Sequence, residues 1–332
     1  MTTPIYSLSI SARLTLDMHS LNNEGGEGNQ IQTRMVDIVA ADGRLYNVNA
    51  ISGDMLKHIQ AEHFYRIARA NGGGLPLCSA CQVFDANRIS ADPDYIAEIK
   101  GRSDGEAIDL MLERCALDDI EGNLITADRS TPRKSVAEFG WVVGVPVDDE
   151  GRELTTTGSY FHVKYASERG ESARAATRAE ESRKANLGQI PFHRPASSGV
   201  YALVTHYEIS RIGFNDITQQ YALDEDARLS RHKALLESIL YTFLQPNGAM
   251  RAAQLPHLVT AQGVVSYATG VLPAPTVSPL NPGFEDEIVR ITAGLNRLHS
   301  DAVVTRSFAG LADLTEIMRD LVETTHPLRQ TS

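Results

Sequence analysis

The sequence has few cysteines, and the three that it has do not suit a disulfide-stapled secreted fold. Cys78, Cys81 and Cys115 are an odd number spread over 332 residues, whereas small secreted scaffolds carry a dense, even set. Residues 1–17 also lack the basic start and apolar run of a secretory signal. These features predict a protein of a reducing, cytoplasmic compartment.

The sequence also lacks a run that a bilayer would accept. Its longest stretch without Asp, Glu, Lys or Arg, residues 252–284, contains five prolines and several polar residues, which argues against a membrane-spanning helix. Hydrophobic residues make up 42% of the chain, charged residues 22% and aromatic residues 6%, as in an ordinary globular protein. The length predicts two domains of roughly 150 residues, or one core with large insertions.

An excess of basic residues is missing as well. Against 31 Lys and Arg stand 42 Asp and Glu, a net charge of −11, which at first argues against a nucleic-acid partner. The acidity is concentrated, however, because residues 70–153 hold 17 acidic and 8 basic residues. Residues 162–198 hold 7 basic and 4 acidic residues. We therefore expect weak binding of nucleic acid by one copy, and tight binding only through assembly.

The commonest catalytic motifs are absent. The sequence contains no P-loop, no Gly-x-Ser-x-Gly elbow and no His-Glu-x-x-His helix. Gly25, Gly26 and Gly28 lack the strand–turn–helix context of a dinucleotide fingerprint. No motif therefore supports an enzyme.

Hydrophobic periodicity predicts the order strand, helix, strand, strand, helix, strand. The strands are predicted at 6–19, 139–145, 199–212 and 263–271, and the helices at 52–71 and 226–244. This order is that of the split βαβ unit of ferredoxin-like and RNA-recognition folds. The pattern of the first strand predicts that it is half-buried, and a polar loop is predicted after it at 21–30. The apolar run 139–145 predicts a buried strand. Residues 164–184 are predicted to form an extended projection, and 284–298 and 309–325 two further helices.

Two short segments could bind phosphate. Ser52 is a good N-cap, and the N–H groups of the following helix, with Gly53 and Lys57, offer a seat for an anion. The alternative is an ordinary capped helix with a solvated lysine. Residues 248–251 form a small-residue loop ending in Arg251, where a sugar-phosphate chain could pass close to the backbone. The alternative is that Gly248 is simply a helix-terminating glycine. Arg34 is either a third cation or a surface residue.

The cysteines make half of a zinc site. Cys78-x-x-Cys81 with Cys115 supplies three thiolates, and Asp85 or His63 is a candidate for further help. A structural zinc usually requires four clear ligands, so reduced buried cysteines remain the alternative.

Six segments, taken in order, resemble one family. They are Leu21–Gly25, Arg34–Val36, Asn49–His58, Ser198–Tyr201, Arg211–Asn215 and Gly248–Arg251. Together they resemble the DevR branch of the CRISPR-associated backbone subunits, which repeat along type I Cascade effectors within the RAMP superfamily. Each segment alone is a weak indicator of the family, but their combined order and spacing are specific to it. The resemblance spans about residues 5–271.

The resemblance implies an α+β fold shaped like a hand. An RRM-like (ferredoxin-like) palm would comprise residues 1–70, 139–157 and 199–332, a helical fingers insertion 71–138, and a thumb hairpin 158–198. Copies would stack along one CRISPR RNA beside other Cascade subunits, and the guide would pair with foreign target DNA in the prokaryotic cytoplasm. The implied RNA contacts are Asn22, Arg34, Ser52, Gly53, Lys57, His58, Gly248, Ala249, Met250 and Arg251. No catalytic residue and no required cofactor are implied.

Two rival functions remain open. A related RAMP subunit cleaves RNA with an acidic residue after the first strand, where this chain has Asp17, Glu24 and Glu27, and such cleavage needs a divalent metal. The branch name also records an autoregulator. A repressor would bind duplex DNA without a guide, yet no recognition helix with clustered basic residues is evident.

Overall fold

The protein is described here by a computed structural model, which covers residues 2–27, 30–70, 74–148, 150–165, 189–248 and 254–330. The strands are β1 (Thr3–Ile5), β2 (Ser7–His19), β3 (Asn23–Glu27), β4 (Gln30–Thr33), β5 (Met35–Val39), β6 (Leu45–Ile51), β7 (Asn123–Ile125), β8 (Thr131–Arg133), β9 (Ala137–Phe139), β10 (Val142–Gly144), β11 (Thr155–Tyr165), β12 (Gln189–Tyr207), β13 (Phe214–Asn215), β14 (Gln220–Tyr221), β15 (His257–Ala268), β16 (Val303–Phe308) and β17 (Thr325–Pro327). The helices are α1 (Gly53–Ala70), α2 (Ser79–Gln82), α3 (Pro93–Glu98), α4 (Asp104–Arg114), α5 (Ala116–Glu121), α6 (Glu225–Leu244), α7 (Phe284–His299) and α8 (Leu311–Thr324). Among these helices, none is both long and apolar enough to cross a bilayer.

One antiparallel sheet organises the chain. Its main path runs β16-β15-β2-β12-β10-β6-β5, and every neighbouring pair on this path is antiparallel. The predicted strand and helix order is confirmed as β2, α1, β10, β12, α6 and β15. The two C-terminal helices, α7 and α8, are confirmed as well.

The two long helices α1 and α6 cover the inner face of the sheet. Leu8 and Ile10 of β2 share one buried cluster with Phe64 of α1 and Ile239 of α6. Gln60 of α1 donates a buried 2.7 Å hydrogen bond to Ser238 of α6, which satisfies polar groups that burial would otherwise penalise. This packing fixes where the first turn of α1 meets the sheet.

The outer face of β2 is covered from Ser7 to Ala12, so the prediction of a half-buried first strand is wrong there, whereas burial alternates as predicted from Arg13 to Asp17. Residues 272–279, here called the strap, run across this part of β2 without regular secondary structure. Ser7 Oγ donates to Leu272 O at 3.0 Å, Ser9 Oγ to Ala274 O at 3.2 Å, and Arg13 Nε to Pro279 O at 3.0 Å. The alternating serines, which resemble a solvent face in the sequence, are instead hydrogen-bonded beneath the strap.

Other predicted elements change in extent. Much of the polar segment 21–30 is strand and not loop, because residues 23–27 form β3, which pairs with β4, and β4 pairs with β12 at Gln30. The predicted strand 139–145 is divided into β9 and β10. Strand β12 begins ten residues before position 199 and pairs with β11 from Thr155↔Gly199 to Tyr165↔Gln189. Most of the predicted projection at 164–184 lies outside the described residues, and the palm, fingers and thumb boundaries stay predictions.

A buried ion-pair network joins the helical segment, α2 to α5, to β8, α6 and residues 211–214. Asp119 of α5 pairs with Arg133 and with Arg231, each at 2.8 Å, and all three side chains are at most 1% exposed. The Gly213 N–H also donates to the Asp119 carboxylate, at 3.0 Å. Buried charges persist only when they are paired and hydrogen-bonded in this way.

Candidate functional site

The first turn of α1 is capped as the sequence predicts. The Met55 N–H donates to Ser52 Oγ at 3.2 Å, which is the bond of an N-cap. The N–H groups of Gly53 and Asp54 bond no acceptor in the described part of the chain. This turn therefore has two amide groups without an acceptor among the described residues, one on buried Gly53 and one on exposed Asp54, at the positive end of an 18-residue helix.

Gly53 has a packing reason that the sequence did not reveal. A Cβ at this position would lie 2.3 Å from Phe139 O and 3.2 Å from Gly140 O, so only glycine allows α1 to begin against the β9–β10 connection. The prediction interpreted Gly53 as room for a ligand. The structure shows that this room is taken by the protein's own backbone.

Asn22 and Gly248 converge on the same turn. The Ser52 N–H donates to Asn22 Oδ1 at 2.9 Å, and Asn22 is buried, so its side chain braces α1 rather than facing solvent. A Cβ on Gly248 would lie 2.7 Å from the Leu21 side chain and 3.0 Å from its Cα. Because α6 ends at Leu244 with Gln245 as its C-cap, Gly248 is not the helix-terminating glycine. It is a close approach of two chain segments.

Arg34 and Trp141 lie beside each other next to this turn. The Arg34 guanidinium carbon lies 5.0 Å from the Trp141 ring centroid, within the range of a cation–π contact. Val142 pairs with Ile51, which places Trp141 next in register to Ser52. Trp141 is 43% exposed, so its assignment to a buried strand is wrong. We call Leu21, Asn22, Arg34, Ser52, Gly53, Trp141 and Gly248 the α1 cluster.

Lys57 and His58, one turn further along α1, face the helical segment. Burial lowers the pKa of Lys57, and attraction to the Glu121 carboxyl opposes that shift. Burial in turn raises the pKa of Glu121 to about 7. The His58 ring is exposed and lies 5.5 Å from the Phe84 ring. The structure thus places His58 against the segment after α2, and Lys57 half-buried near α5.

Some predicted residues cannot be placed. Ala249, Met250 and Arg251 lie outside the described residues, so their predicted RNA contacts stay predictions. Glu24 and Glu27 lie on β3, but their side chains are not described, and Asp17 lies near the end of β2, paired with His257 of β15.

The three cysteines come together, but with a different fourth residue from those predicted. Their sulfur atoms and a carboxylate oxygen of Asp118 lie within 4.8 Å of one another. Neither Asp85 nor His63 belongs to this group, since Asp85 Oδ1 accepts from the Asn87 N–H and the His63 ring bonds Gln245 O. Burial raises the pKa of Asp118 well above its usual range.

Sequence reasoning missed Trp141 and Asp118. Trp141 is the sole tryptophan of the chain, and this rarity could have drawn attention to it. Its exposure could not be predicted, because it depends on the interruption between β9 and β10 at residues 140–141. Asp118 follows Cys115 by three residues, and this spacing puts both on one side of a helical turn. The Cys115-x-x-Asp118 spacing repeats that of Cys78-x-x-Cys81 and could have identified the fourth ligand candidate.

Comparison with known proteins agrees with the motifs. A relative from Saccharolobus solfataricus, CRISPR-associated protein Cas7/Csa2 1, is 24% identical over 245 residues, which is 72% of this chain and 71% of the relative. A chain of a CRISPR RNA-guided surveillance complex has a TM-score of 0.49 and 12% identity, with 96% of this chain and 98% of that chain covered. A second, pre-nicking complex chain has a TM-score of 0.48 and 13% identity, with 96% and 99% covered.

Csc2 from Thermofilum pendens is more distant, at a TM-score of 0.38 and 12% identity over 97% of this chain and 87% of that chain. The family model described as "CRISPR-associated negative auto-regulator DevR/Csa2" matches residues 10–289, most of the chain. The resemblance predicted from the six segments is therefore confirmed, and the chain belongs to the CRISPR-associated DevR/Csa2 family.

Proposed function

We propose that the chain is a non-catalytic backbone subunit that binds CRISPR RNA, stacks in several copies along the guide, and supports guide pairing with foreign target DNA within a cytoplasmic type I Cascade effector. Family membership supports this proposal. The observation that carries it is the α1 cluster, in which a helix N-terminus, a tight glycine contact and the exposed Trp141 ring beside the half-buried Arg34 meet at one place.

The cluster has the chemistry of a backbone grip. Amide N–H groups at a helix N-terminus suit phosphate oxygens, and an exposed indole beside a guanidinium suits a splayed base. Gripping sugar and phosphate carries no sequence information, so pairing between guide and target supplies it. The subunit would read the shape of the RNA, and each copy would bind whatever guide segment it covers.

We further propose that the palm is RRM-like. The four strands of the βαββαβ unit, β2, β10, β12 and β15, lie in the order β15-β2-β12-β10, which corresponds to 4-1-3-2 in order along the chain. RRM domains stack bases on the open face of such a sheet. Here the strap covers that face at β2, so the proposed RNA contacts lie at the α1 cluster instead.

The alternative is a metal-dependent ribonuclease of the RAMP type. It would place Asp17, Glu24 or Glu27 at a scissile phosphate with Mg²⁺. Incubation of the assembled complex with complementary RNA and Mg²⁺ separates the two proposals. Intact RNA is the result that we expect, and regularly spaced cuts that disappear on substitution of Asp17 or Glu24 would favour the nuclease.

RNA that copurifies with the protein tests the main proposal directly. We expect guide-derived RNA of uniform length, bound by several copies, and an affinity that rises steeply once the RNA is long enough for two copies. Equal affinity for short and long RNA would contradict assembly along a guide. Preferential binding to duplex DNA without a guide would instead support a repressor.

Replacing Trp141 by alanine is expected to weaken RNA binding. Stacking of one base on an aromatic ring contributes about 1–3 kcal/mol, which is about 5-fold to 150-fold in affinity. Because the ring is 43% exposed, the thermal stability should change little. Electrophoretic mobility shift with single-stranded RNA measures the loss, and Trp141→Phe should restore most of the affinity. An unchanged affinity in Trp141→Ala would remove Trp141 from the proposed interface.

Replacing Lys57 by alanine is expected to weaken binding equally for RNAs of different sequence. One lost phosphate contact should reduce the slope of log affinity against log salt by about 0.7 for single-stranded RNA. The matched control is Lys233→Ala, which removes an exposed lysine of α6. Lys233 lies about 16 Å along the helix axis from Leu244, the last residue of α6 before the chain reaches Gly248. If the slope is the same in the wild type and in Lys57→Ala, Lys57 makes no phosphate contact and its role is the attraction to Glu121 within the protein.

A further inference from the structure

Four metal-ligating side chains meet inside the helical segment, apart from the α1 cluster. The sulfur atoms of Cys78, Cys81 and Cys115 and one carboxylate oxygen of Asp118 lie within 4.8 Å of one another. All four residues are at most 2% exposed. Three sulfurs and one oxygen at mutual contact distance give the donor number and donor type of a closed structural zinc site.

Two oxygen–sulfur distances within this group are close to those of a tetrahedral zinc site. Bonds of about 2.3 Å to sulfur and 2.0 Å to oxygen separate those two ligand atoms by about 3.5 Å in a tetrahedral site. Asp118 Oδ2 lies 3.4 Å from Cys81 Sγ and 3.8 Å from Cys78 Sγ. We propose that Cys78, Cys81, Cys115 and Asp118 bind one structural Zn²⁺ ion.

The surrounding groups orient these ligands for a metal. Asp118 Oδ1 accepts a 2.8 Å hydrogen bond from Asn123 Nδ2 and a 3.4 Å bond from the Ile89 N–H, so Oδ2 faces the thiols. The Cys81 N–H donates to Cys78 Sγ at 3.4 Å, a bond that stabilises a thiolate. Metal ligands are commonly held by such outer hydrogen bonds, which fix the direction of the donor atom.

A bound cation would offset the charge that metal binding buries. The three thiols and the Asp118 carboxyl must be deprotonated to bind a metal, and four buried negative charges without a counter-charge are costly. Hydrogen bonds from Asn123 and Ile89 offset only part of that cost. A Zn²⁺ ion bound by three thiolates and a carboxylate carries the same net charge as one bound by four cysteines, a common structural site.

The ion would join the two ends of the helical segment. Cys78 is the N-cap of α2, and Cys115 lies between α4 and α5. Asp118 is followed directly by Asp119, whose ion pairs reach Arg133 and Arg231. Zinc would therefore fix α5 in the position from which Asp119 holds the segment to the rest of the fold.

Metal analysis of the purified full-length chain tests the proposal without any variant. We expect one zinc per chain after gel filtration in reducing buffer without chelator. Removal of the metal with a chelator should lower the melting temperature, and one equivalent of Zn²⁺, but not of Mg²⁺, should restore it. A folded protein with a zinc ratio near zero, both as purified and after Zn²⁺ addition, would overturn the proposal.

Two substitutions identify the oxygen ligand. Asp118→Asn should weaken zinc affinity in a chelator competition by about 10-fold or more. Asp85→Asn, which changes a nearby carboxylate that bonds the Asn87 N–H and lies outside the group, should match the wild type. Equal zinc affinity in all three proteins would refute Asp118 as a ligand. A Cys78–Cys81 disulfide, seen as a mass lower by two hydrogens in protein kept under reducing conditions, would also count against the metal site.

Discussion

Replacing Asp119 by alanine should destabilise the protein by about 3–5 kcal/mol, because it would leave the buried Arg231 guanidinium without its counter-charge and Arg133 with Asp216 as its remaining acidic partner. Arg133 and Arg231 each pair with this carboxylate at 2.8 Å, and the three side chains are at most 1% exposed. The Gly213 N–H would also lose its acceptor. Urea denaturation followed by circular dichroism measures the change in the free energy of unfolding.

The matched control is an ion pair at the surface. Glu316 pairs with Arg319 on α8, and both side chains are about 60% exposed, so Glu316→Ala should cost less than about 1 kcal/mol. A loss below 1 kcal/mol in Asp119→Ala would contradict the interpretation that this network holds the helical segment in place. Adding Arg231→Ala to Asp119→Ala should cost less than the sum of the two single changes, because the pair is already broken.

The network explains why one of the six family segments is recognisable. In Arg211–Asn215, Arg211 pairs with Asp216, the Gly213 N–H bonds Asp119, and Asn215 Nδ2 bonds Gly105 O at 2.8 Å. Gly213 also adopts a positive φ of 72°, which favours glycine. This segment is specific in sequence because its role in the fold is specific, and it contributes no residue to the α1 cluster.

Periodicity predicted the elements of the sheet but not what covers them. Ser7 and Ser9 alternate with apolar residues, as on a strand with one wet face, yet they bond the strap about 265 positions away. The serine side chain is small, and one hydrogen bond to a backbone carbonyl is enough to bury its hydroxyl. Alternating serines therefore occur both on a strand face exposed to solvent and on one covered by another segment. The prediction of a polar loop after β2 was wrong because β3 pairs with the neighbouring β4, although its Asn, Gly and Glu residues are uncommon in strands.

The candidate sites show the same limit. The cap at Ser52 follows from local chemistry and was predicted correctly. The reason for Gly53 was not predicted, because it depends on Phe139, far away in the chain. Cys115 and Asp118 are close in sequence, but their meeting with Cys78 and Cys81 requires the fold of the helical segment. Local signals thus identify single residues, and tertiary contacts decide what those residues do.

Replacing Gly53 by alanine should both destabilise the fold and weaken RNA binding. The new Cβ would lie 2.3 Å from Phe139 O, where ordinary contacts begin at 3.4 Å, so the first turn of α1 must move away from the β9–β10 connection. Overpacking of this kind costs about 1–3 kcal/mol. The same movement would strain the bond from the Ser52 N–H to Asn22 Oδ1 and turn the free amides away from a bound phosphate.

The matched control is Gly294→Ala on α7, where a Cβ meets nothing within 4 Å. This helix-interior change should stabilise the protein by about 0.5–1 kcal/mol and leave RNA affinity unchanged. Binding measured well below the melting temperature of both variants separates the loss of the interface from the loss of the fold. If Gly53→Ala were as stable as the wild type and bound RNA as tightly, neither the close packing of α1 nor its role in gripping the RNA backbone could stand. A loss of stability with full RNA affinity would retain the packing and reject the α1 cluster as the site of the grip.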